Sequence, residues 1–129
     1  MIGSNAFNYI NVLGKAANAS WKRNEVISNN IANVDTPGFK RNDVQFESYL
    51  QDALTGDGSL DEKIANANLN SLDATVYTDN ANLSYRLDGN NVDIDTESAY
   101  LAENQIRYYA LLDSMTQEFS RIKTVLNAR

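Results

Sequence analysis

Cysteine and histidine are both absent from this chain of 129 residues. Without cysteine there are no disulfides, thiol nucleophiles or iron–sulfur sites. Without histidine the commonest zinc and haem ligands and histidine-based catalysis are excluded. Only carboxylate, lysine, tyrosine or hydroxyl chemistry remains open, and we expect neither a cofactor nor a metal site.

Proline is almost as scarce, with a single residue at position 37. Because proline lacks an N–H and disfavours a helical conformation in the residue before it, a helix that runs into Pro37 must end nearby. Gly38 follows, and a Pro-Gly pair is typical of a type II turn in which glycine takes a positive φ. We expect a turn formed by Thr36, Pro37, Gly38 and Phe39.

Long hydrophobic runs are also missing. No apolar stretch approaches the roughly 20 residues that a helix needs to span a bilayer. The first fourteen residues have no basic region of the kind that begins a signal peptide. We therefore expect no direct membrane insertion and no cleaved signal peptide.

Positive charge is scarce in the middle of the chain. Residues 42–98 carry twelve acidic and two basic side chains, whereas the flanking segments are close to balanced. Nucleic acid binds clustered lysine and arginine, so we expect no nucleic-acid partner. The acidic stretch 88–97 does not match a calcium loop, because its glycine comes second rather than sixth. It is better explained as a solvated turn and helix cap.

Apolar residues recur at alternating spacings of four and three between Ala6 and Val34, which is the pattern of a coiled-coil helix. Ser20 and Asn24 interrupt this pattern, and polar residues at such positions can fix the register of helix pairing. The residues that we predict to form this N-terminal seam are Ile10, Leu13, Ala17, Ile27, Ile31 and Val34.

The last third of the chain repeats the pattern from Leu101 to Leu126, interrupted only at Gln105. The predicted C-terminal seam consists of Leu101, Tyr108, Leu112, Met115, Phe119, Ile122 and Leu126. The fold class that follows is mainly α. Long N- and C-terminal helices pair as a coiled coil, and the middle between them is small and irregular or contains a β-hairpin.

The middle has weaker signals. Residues 74–78 and 83–87 alternate and are β-prone, which predicts a hairpin. Residues 55–59 predict a flexible break, and residues 61–73 are expected to be weakly helical or disordered. We divide the chain into an N-terminal helix (1–36), a turn with a flexible acidic middle (37–95) and a C-terminal helix (96–129).

Two segments resemble a known family. ANVDTPGFK, residues 32–40, resembles the signature near the N-terminus of flagellar rod and hook proteins. LDGNNVDIDTESAYLAENQIRYYALLDSM, residues 87–115, is similar to the proximal rod subunits of the flagellar basal-body rod family. The resemblance covers about both terminal thirds of the chain, and residues 51–75 match no signature.

The resemblance implies a structural subunit of the proximal rod of the bacterial flagellum, not an enzyme. It implies that the terminal helices form a tubular shaft that transmits torque and conducts exported subunits. The implied partners are copies of the same chain, the other proximal rod subunits and the protein that joins the rod base to the export gate. The implied location is the basal body on the periplasmic side of the envelope.

The sequence supports two other functions less well. A soluble coiled-coil adaptor would need neither the 32–40 segment nor the 88–95 segment. A wall-cleaving glycosidase needs two carboxylates on opposite sides of a sugar, within a largely apolar cleft. The acidic middle has too few aromatic and apolar residues to shape that cleft.

The balance between backbone entropy and apolar burial also favours assembly. Ordering a residue costs about 1–2 kcal/mol of backbone entropy, so a single terminal helix is unstable alone and a pair is marginal. We expect the terminal helices to become firmly ordered only when the subunit joins an assembly.

Overall fold

The computed structural model describes residues 2–80 and 86–128. Two long helices dominate it, α1 (Ile2–Ala32) and α4 (Ile94–Asn127). The elements between them are β1 (Asn42–Gln45), α2 (Glu47–Ala53), α3 (Leu60–Asn66), a 3-10 helix (Leu69–Leu72) and β2 (Thr75–Thr78). The predicted fold class, mainly α with paired terminal helices and a small β element in the middle, is confirmed.

The single proline lies in the turn that follows α1. The N–H of Phe39 donates to the carbonyl of Thr36 at 3.2 Å, and Gly38 has a φ of +74°. This hydrogen bond and this glycine conformation are those of the predicted turn, in which Pro37 takes the second position. The chain leaves α1 here and turns into β1.

Helix α4 runs antiparallel to α1. Asn30 near the end of α1 bonds Glu97 near the start of α4, and Gly14 faces Met115 further along. The side chain of Asp93 caps α4 by accepting from the N–H groups of Asp95 (3.0 Å) and Thr96 (3.4 Å).

The middle segment packs on a second side of α1. Val12 and Ala19 of α1 form the apolar core with three buried residues of the middle, which are Phe46, Ile64 and Leu72. Residues 60–66 and 69–72 are helical, where the sequence suggested weak helicity or disorder. Two features account for this: a capping box between Ser59 and Glu62 and the burial of the few apolar side chains against α1.

Strands β1 and β2 form a two-stranded antiparallel sheet in which Asn42 lies opposite Thr78 and Gln45 opposite Thr75. The first strand of the predicted hairpin, 74–78, is therefore present, but its described partner is β1. The second strand of the predicted hairpin falls largely on residues 81–85, outside the described residues. Pairing with β1 joins residues that are thirty or more positions apart, which a local turn pattern does not reveal.

Over residues 2–80 and 86–128, no helix has both the length and the apolar character that crossing a membrane requires.

Candidate assembly interface

Helix α4 turns a different stripe toward α1 from the one predicted. The positions with the least exposure along α4 are spaced four and three apart. They are Glu97, Leu101, Asn104, Tyr108, Leu111, Met115, Glu118 and Ile122. Four members of the C-terminal seam belong to this stripe, namely Leu101, Tyr108, Met115 and Ile122. The other three, Leu112, Phe119 and Leu126, are 37%, 52% and 64% exposed on the flank of the helix.

All residues of the N-terminal seam are buried or partly buried, in closer agreement with the predicted pattern. Ala17 and Ile27 are buried, and Ile10, Leu13 and Ile31 are partly buried on α1. Val34 is also partly buried, but it lies beyond the end of α1. The role of both seams in assembly stays a prediction.

A polar layer crosses the helix pair at the interruption of the N-terminal seam. Ser20 and Asn104 are both almost fully buried, and the amide nitrogen of Asn104 donates to the carbonyl oxygen of Ser20 at 2.7 Å. The side-chain oxygens of Asn24 and Asn104 are buried, and neither accepts a hydrogen bond within the part of the chain that the structure describes. This contact between Ser20 and Asn104 favours one register, because a shift of α4 breaks it.

The two helices leave one side uncovered. On α1, residues 9, 12, 16 and 19 contact the middle, so helical geometry places the exposed residues 7 and 21 on a different side. We call seven of the exposed apolar side chains of the helix pair the uncovered face; they are Phe7, Trp21, Ile106, Tyr109, Leu112, Phe119 and Leu126. Exposed apolar side chains that form a contiguous patch mark interaction sites on soluble proteins.

Three aromatic rings join the helices at the centre of the uncovered face. The ring centroids of Trp21 and Tyr108 are 5.9 Å apart, and those of Tyr108 and Tyr109 are 6.0 Å apart with an edge-on geometry. Trp21 and Tyr109 are nevertheless 54% and 68% exposed. Their outer faces remain available to another molecule.

A second feature, a buried polar junction, joins the two sequence segments on which the family resemblance rests. Asn90 is fully buried, and its amide nitrogen donates to the carbonyls of Asn33 (2.9 Å), Val34 (3.0 Å) and Thr36 (2.8 Å). Asn90 therefore satisfies carbonyls of the turn that follows α1, from a distant part of the chain. Its side-chain oxygen accepts from the N–H of Val92.

We expect Asn90→Asp to lower the free energy of unfolding by at least about 3 kcal/mol, because a buried carboxylate would face three carbonyls that need a donor. Asn68→Asp is the matched control, since the Asn68 side chain only accepts, from the N–H of Asn70 at 3.1 Å. Denaturant unfolding of the two variants measures the difference. Equal losses would mean that Asn90 does not act as the donor.

Arg41 and Glu97 lie at the centre of the junction, where their side chains are 6% and 1% exposed. The Nε of Arg41 donates to Glu97, and its Nη1 lies 2.6 Å from Asp79. Tyr100 covers the guanidinium, which lies 5.4 Å from the ring centroid. Burial opposes the charge on Arg41, yet bonding to Glu97 and Asp79 raises its pKa above the ordinary value. Arg41 therefore keeps its charge although it is buried.

Asn30 connects this pair to the sheet. Its amide nitrogen donates to the carbonyl of Asn42 (2.8 Å) and to Glu97 (3.1 Å), and its oxygen accepts from the N–H of Asn42 (2.9 Å). Arg23 completes the edge of β1 by donating to the carbonyl of Val44. Side chains of α1 thus occupy the outer edge of the strand.

The turn at residues 36–39 directly contacts residues 88–91, which belong to the second segment of the family resemblance. The N–H of Gly38 donates to the carbonyl of Asp88 at 2.7 Å, and a Cβ built on Gly89 would lie 3.8 Å from the Gly38 Cα. Thr36 accepts from Asn90 as described above, and Phe39 accepts from the N–H of Asn91 at 3.3 Å. The two segments of the family resemblance are therefore in contact.

Gly38→Val should lower the free energy of unfolding by about 1–3 kcal/mol, because valine is strained at a φ of +74°. Apart from its two chain neighbours, no atom of the described residues lies within 4 Å of a Cβ at Gly38, so the cost is conformational. Gly14→Ala is the control: Gly14 is helical, the nearest atom is 4.0 Å away, and alanine should stabilise by about 0.5–1 kcal/mol. Thermal unfolding of both variants should show opposite signs.

Sequence reasoning missed the junction. The polar residues of segment 88–97 were explained as solvated, whereas Asn90 and Glu97 are buried. The asparagines that stand beside turn residues were the one sequence feature that pointed to the junction. Their bonding could not be predicted, because the partners of Asn90 are more than fifty residues away in the chain. Within the described residues no group of three or more acidic side chains is placed to hold a metal ion.

Comparisons with known proteins agree with the resemblance. The family model described as flagella basal body rod protein matches residues 10–40. The flagellar basal body rod protein FlgB of Bacillus subtilis is 36% identical over 105 residues, 81% of each chain. FlgB of Borreliella burgdorferi is 35% identical over 114 residues, covering 81% of this chain and 84% of the relative. FlgB of Escherichia coli is 31% identical over 123 residues, covering 88% and 89%.

Proposed function

Because this chain belongs to the FlgB family of flagellar basal body rod proteins, we propose that it builds the proximal rod through its terminal helices. As a family member it is a structural subunit of the rod and is located in the flagellar basal body. We further propose which surfaces assemble, which partners they contact and what the assembled shaft does.

The uncovered face is the observation that carries the proposal. It consists of large apolar side chains that an isolated subunit leaves in water, and on α1 these side chains lie on a different side from the one that packs on the middle. Burying apolar surface contributes about 25 cal/mol for each Å², so a second subunit that covers these residues supplies the energy of assembly. Such packing would set the helices in a tubular shaft.

Torque transmission and conduction of exported subunits follow from that arrangement. Helices packed side by side resist twisting because the interdigitated side chains cannot slide. We propose copies of this chain and the other proximal rod subunits as neighbours, with the protein that joins the rod base to the export gate at one end. The rod would lie on the periplasmic side of the envelope.

A polar groove on the surface of the subunit does not favour the enzyme alternative. This groove lies between β1, α1 and α4, and its three carboxylates are Asp43, Glu47 and Glu103. Arg23 bonds Glu47 at 2.6 Å and lowers the pKa of that carboxyl, and Arg107 bonds both Glu47 and Glu103. A glycosidase needs a general acid with a raised pKa, whereas the pKa of Glu47 is lowered, so Glu47 suits ion pairing. The relatives are rod proteins, which also disfavours an unrelated adaptor.

Isolated basal bodies test the proposal. An epitope inserted between Gly56 and Gly58 places the label in an exposed loop, away from both helices. Immunogold images of basal bodies from a motile strain should show the label on the proximal rod. Label confined to the hook, the filament or the cytoplasm would reject it. A tagged strain that swims normally is the required control.

A further inference from the structure

A glycine interrupts the row of large side chains that α1 contributes to the uncovered face. Gly14 is seven residues from Phe7 and seven from Trp21, so helical geometry places the three positions on one side of α1. Phe7 and Trp21 are each 54% exposed, whereas Gly14 between them has no side chain. We call this gap the notch; the methyl group of Met115 from α4 borders it.

The subunit itself does not require a glycine at position 14. Outside its chain neighbours and the backbone of its own helix, the only described atom within 4 Å of a Cβ built on Gly14 is the Met115 methyl group, at 4.0 Å. Gly14 also does not have a positive φ, so alanine would fit and would favour the helix. Glycine is typical of positions that another group approaches closely. The notch therefore has room for a side chain from outside the subunit.

We propose that the notch receives the Tyr109 side chain of a second copy of this chain, which lies parallel to the first. The inference rests on the proposed rod function, because subunits that repeat head to tail along a shaft point the same way. Tyr109 is 68% exposed, more than any other aromatic side chain that the structure describes. Aromatic rings that fill a pocket of the partner are typical anchors of protein interfaces.

This contact defines how far the second copy is shifted along the helix axis. Gly14 lies beside Met115, and Tyr109 comes six residues before Met115 in α4. Tyr109 of one copy reaches the level of Met115 in the other after a shift of six helical residues, about 9 Å at 1.5 Å per residue. Without this shift the notch would lie at the level of the other copy's notch and stay empty.

The same shift brings two opposite charges together. Asp113, one turn beyond Tyr109, and Lys123 are both exposed, and neither forms an ion pair with another described residue. After the shift, Asp113 of the second copy lies at the level of Phe119 in the first, one helical turn from Lys123 and within reach of the long lysine side chain. Without the shift, Asp113 would lie at the level of the other copy's Asp113. Charge complementarity therefore favours the shifted arrangement and a second copy as the occupant.

Photocrosslinking from position 109 in isolated basal bodies tests the contact. A photoreactive phenylalanine analogue replaces Tyr109, and mass spectrometry of the crosslinked product maps the adduct. We expect a dimer of this chain with the adduct on residues 10–18 or 112–119 of the second copy. Adducts only on another rod subunit, adducts on residues 42–78, or no dimer would overturn the proposal. These outcomes leave the proposed function intact, which fails instead if the immunogold label is absent from the proximal rod.

Filling the notch provides the second arm of the test. Gly14→Leu should leave the purified subunit helical by circular dichroism, because leucine favours a helix more than glycine does. It should nevertheless abolish swimming and the crosslink from position 109, because the new side chain occupies the space that Tyr109 needs. Ala65→Leu is the matched control: it adds a similar side chain on exposed α3 and should swim normally. Equal swimming of the two variants would overturn the proposal.

Discussion

Replacing Phe119 with aspartate is expected to abolish flagellar assembly while the subunit remains folded. Phe119 is 52% exposed on the uncovered face, so a carboxylate there stays solvated in the free chain. In an assembly the same carboxylate would be buried against a neighbour without a partner, at a cost of several kcal/mol. Complementation of a strain that lacks the gene measures motility, and circular dichroism checks the fold.

Leu60→Asp is the matched control for Phe119→Asp. Leu60 is 55% exposed, and it is the first residue of α3, where an acidic side chain favours the helix. We expect normal swimming from this variant. A Phe119→Asp strain that swims as well as the Leu60→Asp strain would remove Phe119 from the assembly surface.

Replacing Arg41 with alanine should produce the largest loss of stability. The substitution leaves Glu97, whose side chain is 1% exposed, without its cation, and it deprives Asp79 of a bond of 2.6 Å. Breaking a buried ion pair by removing one partner costs about 3–5 kcal/mol. Denaturant unfolding should show a lower midpoint with an unchanged slope if the native state is otherwise intact.

Arg107→Ala separates the effect of burial from the loss of an arginine. Arg107 is 45% exposed and pairs with Glu47 and Glu103 at the surface. Exposed pairs contribute about 0–1 kcal/mol, so this variant should lose little. A loss from Arg41→Ala no greater than the loss from Arg107→Ala would mean that the buried polar junction does not stabilise the fold.

The two terminal helices could be predicted because their signal is local. Apolar residues spaced four and three apart identify a helix without any knowledge of its partner. The set of α4 residues that face α1 could not be predicted from this local pattern alone. The predicted and observed stripes share Leu101, Tyr108, Met115 and Ile122, and they differ by one residue elsewhere. There the structure turns Asn104, Leu111 and Glu118 inward in place of Gln105, Leu112 and Phe119. The hydrogen bond from Asn104 to Ser20 favours this register.

The order in the middle depends on contacts that the local sequence does not show. Ile64 and Leu72 stand alone among asparagine, alanine and acidic residues, which suggests a solvated segment. Both are buried because α1 offers a second apolar side, formed by residues such as Val12 and Ala19. The buried polar junction was missed for the same reason, since Asn30 and Asn90 find their partners far along the chain.

Site-specific crosslinking in flagellated cells tests the central claim, that subunits assemble through the uncovered face. A photoreactive phenylalanine analogue at position 119 lies on that face, and the same analogue at position 60 lies on exposed α3. We expect irradiated basal bodies to yield adducts with a rod subunit from position 119 and far fewer from position 60. Efficient adducts from position 60 with none from position 119 would contradict the account.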